Sequence, residues 1–175
     1  MAQRFSEYAR KADDDYPTPT WVTEAVIPHL KLRKSATILE PAPGAGNMAR
    51  ALRAAGFDVI RGSGNFLQRD RAGRDIDAIV TNPPYGNRGG LALKFIERAL
   101  EETSPSGVVA MLLKVDFDSG RTRSHVFNHP AWAKKLVLRE RIVWFEPAIA
   151  RPSENHAWYI WRWKHTGPPT IAYGP

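Results

Sequence analysis

Short apolar runs alternate with amphipathic stretches along most of this 175-residue chain. ATILE (36–40) is an apolar run of strand length that ends in a carboxylate. PAPGAG then reads as a turn. NMARALRAAG predicts a helix with Met48, Leu52 and Ala55 on one face and Gly56 as its stop. FDVIRG predicts a second strand, GNFL (64–67) a third and DIDAIV (75–80) a fourth. GGLALKFIERALEET sets Leu91, Phe95, Ala99 and Leu100 in helical step. VVAMLLKV (108–115) reads as an apolar central strand, of the kind buried on both faces. KLVLRERIVWF (135–145) and HAWYIWRW (156–163) predict two late strands. Upstream, PTPTWVTEAVIPHLKL predicts a helix capped by Thr20, with Val22, Ala25, Val26 and Leu30 turned inward and Pro28 bending it.

Strand, helix, strand, helix, strand predicts a doubly wound, mostly parallel α/β sheet. Its ligand belongs at the carboxyl ends of the strands. The two stiffest turns, after Glu40 and after Val80, both fall at such ends. The expected organisation is a flexible segment over 1–15, one folded domain over 16–165 and a tail over 166–175.

Composition narrows the picture. Apolar residues make up 43% and charged residues 25%, which suits a folded domain rather than a disordered chain. Lys and Arg number 25 against 18 Asp and Glu, a formal charge of +7, which favours a polyanionic partner such as nucleic acid. There is no cysteine, so disulfides and thiolate chemistry are excluded. The five histidines form no HExxH pattern, and no metal is expected. No apolar run reaches the ~18 residues of a membrane span, and the polar N-terminus has no signal core, so a cytoplasmic protein is expected.

Candidate chemistry sits in the two turns. In ILEPAPGAGNMA, Gly44 and Gly46 let the backbone come close to a ligand. The spacing is neither GxGxxG nor a P-loop. Glu40 would repel phosphates and suits a ligand bearing an amino group. By itself this stretch reads equally as a plain strand–helix turn with a surface glutamate. In TNPPYGN (81–87), Pro83 and Pro84 fix two φ angles and remove two donors. Asn82 precedes proline and is biased to an extended conformation. Its side-chain oxygen and the nearby carbonyls form a stiff row of acceptors, which fits a planar NH2 group. Tyr85 adds a flat face for stacking.

At these residues the chain resembles the S-adenosylmethionine-dependent adenine-N6 DNA methyltransferases. Glu40-Pro41-Ala42-Pro43-Gly44-Ala45-Gly46 resembles their cofactor turn, and Asn82-Pro83-Pro84-Tyr85 their catalytic turn. YPTPTWV (16–22) looks like their upstream Thr-Pro segment. The resemblance implies a seven-stranded, Rossmann-like class I methyltransferase fold over roughly residues 16–163, with S-adenosyl-L-methionine as cofactor. Thr18, Pro19, Glu40, Pro41, Gly44, Gly46, Asn65, Phe66 and Asn82 would bind it. Asn82 Oδ1 and the Pro83 carbonyl would accept the hydrogens of the target amine, with Tyr85 stacking on the base. Two positions depart from the pattern. Asn65 stands where an acid usually faces the adenine, and Arg61-Gly62-Ser63 stand where an acid usually grips the ribose.

Arg121 and Arg123 after the fifth strand could meet phosphates, or simply line a solvated helix. Tryptophans 158, 161 and 163 read more readily as core than as a nucleic-acid platform. The expected partner is DNA rather than RNA. The same motifs are compatible with RNA methylation, protein glutamine methylation, or a catalytically weak binder.

Overall fold

The computed structural model describes residues 17–70, 75–103, 105–144 and 154–175. The expected flexible segment over 1–15 lies outside them. Seven strands form one sheet in the order β2-β1-β3-β4-β6-β5-β7. They are β1 (Thr37–Glu40), β2 (Asp58–Arg61), β3 (Ala78–Thr81), β4 (Val108–Lys114), β5 (Trp132–Val137), β6 (His156–Arg162) and β7 (Thr170–Tyr173). All neighbouring pairs are parallel except those of β6, which runs antiparallel to both β4 and β5. The helices are α1 (Thr20–Leu30), α2 (Asn47–Ala54), α3 (Gly90–Thr103) and the single turn α4 (Ser124–Phe127).

Alternation along each strand explains the layers. Val108, Ala110 and Leu112 of β4 join Trp158 and Ile160 of β6 on the face covered by α1 and α2. Val109, Met111 and Leu113 join Tyr159 and Trp161 on the face covered by α3. β4 is therefore apolar from Val108 to Leu113, because both its faces are core there, and turns polar only at its last residue, Lys114. The tryptophans at 158 and 161 are fully buried. Each indole finds a carbonyl: Trp158 Nε1 donates to Val22 O in α1 (2.9 Å) and Trp161 Nε1 to Val126 O in α4 (2.7 Å). These bonds fix the two outer layers to the antiparallel strand.

The chain passes from β1 through α2 to β2, then returns to place β3 on the other side of β1. α2 and α3 lie on opposite faces, as right-handed crossovers in opposite directions require. The carboxyl ends of β1 and β3 thus flank a point where the winding reverses.

Four local expectations are corrected. GNFL is not a strand: Asn65 Oδ1 accepts Leu67 N–H (3.0 Å), and Asn65 O accepts Gln68 and Arg69 N–H. The asparagine side chain wins the backbone for an Asx turn. The seventh strand comes instead from the expected tail, where residues 170–173 pair with β5. KLVLRERIVWF is strand only to Val137, because the Arg139 and Glu140 amides both turn to Pro175 O. Pro19 rather than Thr20 occupies the N-cap of α1.

Trp161 packs among Phe127, Trp132 and Tyr159 as well as bonding α4. Trp161→Ala is expected to cost about 3–5 kcal/mol of folding stability. Urea denaturation measures it, and a loss below ~1 kcal/mol would show that the aromatic cluster does not hold this face of the sheet.

Candidate active site

Glu40 is the last residue of β1 and Asn82 follows the last residue of β3, so the winding brings them to one edge. Between them opens a cavity of about 590 Å³. Thr18, Glu40, Pro41, Gly44, Gly46, Asn65, Phe66, Asn82 and Pro84, all singled out in the sequence, line it. Pro19, Pro83 and Tyr85 adjoin these residues in sequence but are not among those that line it.

The wall beside β1 is a turn closed by Gly46 N–H donating to Pro43 O (2.6 Å). Gly46 caps α2 at φ 77°, a left-handed conformation that a side chain would strain. Gly62, just past β2, runs so near this turn that a Cβ there would lie 2.8 Å from Pro41 Cα. Only a residue without a side chain lets the two strand ends meet.

Glu40 is 2% exposed. It accepts a hydrogen bond from the Ala49 amide in the first turn of α2. Its Oε2 is buried with no partner among the described residues. Burial pushes its carboxyl from the ordinary 4.5 up to about 7, against the pull of Arg61, Arg53 and Arg50. Arg61 lies across the outside of the turn, donating Nη2–H to Gly44 O (3.2 Å). A buried carboxylate with one unpartnered oxygen on a cavity wall suits a cationic group.

On the opposite wall, Asn82 Nδ2 donates to Thr18 Oγ1 (3.3 Å). Thr18 is buried, and the Trp158–Val22 bond anchors the helix that follows it. The amide is therefore turned so that its nitrogen faces Thr18. Oδ1 takes no hydrogen bond among the described residues and remains an acceptor. Tyr85 is held outside this lining. Its hydroxyl accepts Lys114 N–H (2.6 Å), and its ring meets Phe117 edge to face at 6.5 Å. Burial raises its phenol above the usual range.

Asn65 is exposed and spends Oδ1 on its own turn, while Phe66 is buried against Phe95 at 5.1 Å. Leu91 and Phe95 of α3 also line the cavity. The sequence marked both only as the inward face of a helix. Their place just after Asn-Pro-Pro-Tyr was the available signal. Arg121 is exposed on the loop after β4. Arg123 is half-buried there, its guanidinium bonded to the carbonyls of Arg88 and Phe117. Among the described residues no group of acidic and histidine side chains could hold a metal, and no helix is long and apolar enough to cross a membrane.

Comparison with solved structures identifies the architecture as the Rossmann-like fold of class I methyltransferases. The methyltransferase subunit of a type I restriction-modification system from Streptococcus thermophilus superposes with a TM-score of 0.63 at 13% identity, over 89% of this chain and 46% of that one. A Listeria monocytogenes protein assigned to the class I S-adenosylmethionine-dependent methyltransferases gives 0.61 at 13% identity, over 87% and 62%. The M protein of the type I restriction enzyme EcoKI gives 0.57 at 14%, over 86% and 44%. The chain thus spans from under half to just under two thirds of these structures. No family model and no curated protein sequence matches it.

The raised carboxyl yields a stability prediction. Its neutral form is favoured by the fold, so Glu40 contributes fully below pH 4.5 and loses that contribution as pH rises through about 7. Glu40→Gln keeps the shape and removes the titration. Relative to the parent it should gain up to about 3 kcal/mol at pH 8 and little at pH 4. Urea midpoints across this range decide it, and a pH-independent difference would show that Glu40 is ionised at no cost.

Proposed function

We propose that the protein is an S-adenosylmethionine-dependent methyltransferase that methylates the exocyclic N6 amino group of adenine in DNA. One observation carries this reading. Asn82, on the cavity wall, gives its amide nitrogen to Thr18 and so keeps Oδ1 as an acceptor. An acceptor fixed in that sense, one residue before the carbonyl of Pro83, suits a planar NH2 group and offers nothing to a phosphate.

The cavity's other wall fits the cofactor. Glu40 Oε2 lacks a partner and meets the need of an α-ammonium group. The turn from Pro41 to Gly46 lines this wall, and Thr18, Asn65 and Phe66 border the same space. When bound, S-adenosylmethionine supplies a methyl group on a sulfonium, an electrophile that needs no activation by this chain.

The chain's own work is on the amine. An exocyclic nitrogen conjugated with its ring is a poor nucleophile. Asn82 Oδ1 and Pro83 O accept its two hydrogens and localise its lone pair. Both stay hydrogen-bonded as the nitrogen forms its bond to the methyl carbon and the carbon–sulfur bond breaks, and the surplus proton then leaves the nitrogen to water. Pro83 and Pro84 keep this pair of acceptors from rotating away, so the contribution is positioning and electrostatics. In a duplex the base must first leave the stack, at a cost of a few kcal/mol, and Tyr85 offers it a ring face. DNA is favoured over RNA because modification subunits of DNA restriction systems stand among the structural neighbours. Arg121, exposed on the loop after β4, would supply a phosphate contact.

The test is transfer of labelled methyl groups to duplex DNA, single-stranded DNA, ribosomal-type RNA and a protein extract. Label should appear in DNA as N6-methyladenine. Asn82→Ala should lower the rate by at least about 100-fold, while cofactor binding measured by calorimetry stays near the parent value. Label in RNA or protein alone would move the substrate. Undiminished transfer by Asn82→Ala would remove Asn82 from the mechanism.

A further inference from the structure

We infer that Arg123 is a positioning residue, a clamp that locks the turn after β3 to the loop after β4 and thereby fixes the ring of Tyr85. Its role in catalysis rests on the function proposed above, but the clamp itself does not. Arg123 Nη1 donates to Phe117 O and Nη2 to Arg88 O, both at 2.8 Å. Its guanidinium carbon lies 4.0 Å from the centre of the Phe117 ring. One planar group therefore bridges two carbonyls from different loops and stacks on the aromatic side chain of one of them, a geometry available to arginine and not to lysine.

Both ends of the bridge are tight. Gly89 stands at φ +78°, and a Cβ there would come within 3.1 Å of both Arg123 Nη2 and Phe117 Cε2. Arg88, whose carbonyl is held, sits at φ 51°, which for a side-chain-bearing residue persists only when its surroundings enforce it. Phe117 is 2% exposed, and its ring meets Tyr85 edge to face. Tyr85 is gripped in turn by Lys114 N–H at its hydroxyl and by Leu91 N–H at its carbonyl (3.1 Å). The path from Arg123 to the Asn-Pro-Pro-Tyr turn is thus two contacts long on either side, through Phe117 and through the 88–91 backbone. With one N–H of each terminal nitrogen given to a carbonyl and one face on Phe117, Arg123 is committed within the loops, whereas Arg121 is exposed.

Arg123→Lys and Arg123→Ala test this, the lysine variant retaining the charge and most of the packing. Three measurements are read together. Amide hydrogen exchange over residues 85–91 should accelerate about tenfold or more in both variants, with β4 and β6 unchanged. The rate constant for methyl transfer should fall about tenfold in both while cofactor affinity stays within about twofold, because lysine cannot span the two carbonyls. The salt dependence of DNA binding should keep its slope, whereas loss of a phosphate contact would lower it by about 1. Unchanged exchange over 85–91 overturns the clamp. Faster exchange with unchanged transfer overturns its positioning role. A slope change restored by lysine assigns Arg123 to phosphate instead. If the parent protein transfers no methyl group, the proposed function fails, while the exchange measurement still decides the clamp.

Discussion

The constraint on which this structure depends is that β1, β3 and β4 are covered on both faces. Strands so placed have no polar face to offer water, so the crossovers must supply helices above and below. The chain must then reverse its winding beside β1. That reversal separates the loop after β1 from the loop after β3 and opens the space between them. Glu40 and Asn82 face one cavity because each ends a strand at this reversal. The antiparallel β6 matters for the same reason. It carries Trp158 and Trp161, whose indoles hold α1 and α4 against opposite faces. Through α1, Trp158 also sets Thr18 beside Asn82.

The two cavity walls use opposite electrostatic devices. On the β1 side an acid is buried with one oxygen unpartnered, and the fold bears the cost as a raised carboxyl. A cationic ligand would repay it by drawing the proton off, since a charge partner favours the ionised form. On the β3 side nothing is charged. A neutral amide is oriented by one hydrogen bond and backed by two prolines, which suits a neutral amine that must be made more basic rather than bound tightly.

Much of this was legible from the chain. The apolar runs of β1, β3, β4 and β6 announced themselves because burial on both faces leaves no other residue choice. The two turns were legible because glycine and proline act locally, through φ and through missing donors. What failed was long-range or competitive. GNFL has strand-like residues, but Asn65 closes its own turn before any neighbour can pair. Residues 170–173 look like a tail, with Ile171 and Tyr173 exposed, and become strand only because β5 offers an edge. Arg123 looked like Arg121. The difference lies in carbonyls 6 and 35 residues away, which no local pattern encodes.

That last point bears on the charge. A formal +7 suggests a broadly cationic surface, yet many of these cations are engaged within the fold. Arg69 and Arg98 meet the buried Glu102, Lys114 pairs with Glu154, and Lys135 with Asp118. Arg162 caps the carbonyls of His29 and Leu30 at the end of α1, and Arg53 binds Val59 O. A side chain held to a backbone carbonyl keeps its charge but not its reach. Its field still draws in a polyanion, while its hydrogen bonds are spent on the loops. The charge of this protein therefore does two kinds of work, and counting arginines does not separate them. In the reading proposed here, phosphate contacts fall to exposed residues such as Arg121. Arg61, bonded to Gly44 O, and Arg123, bonded to Arg88 O, are spent on the loops beside the cavity.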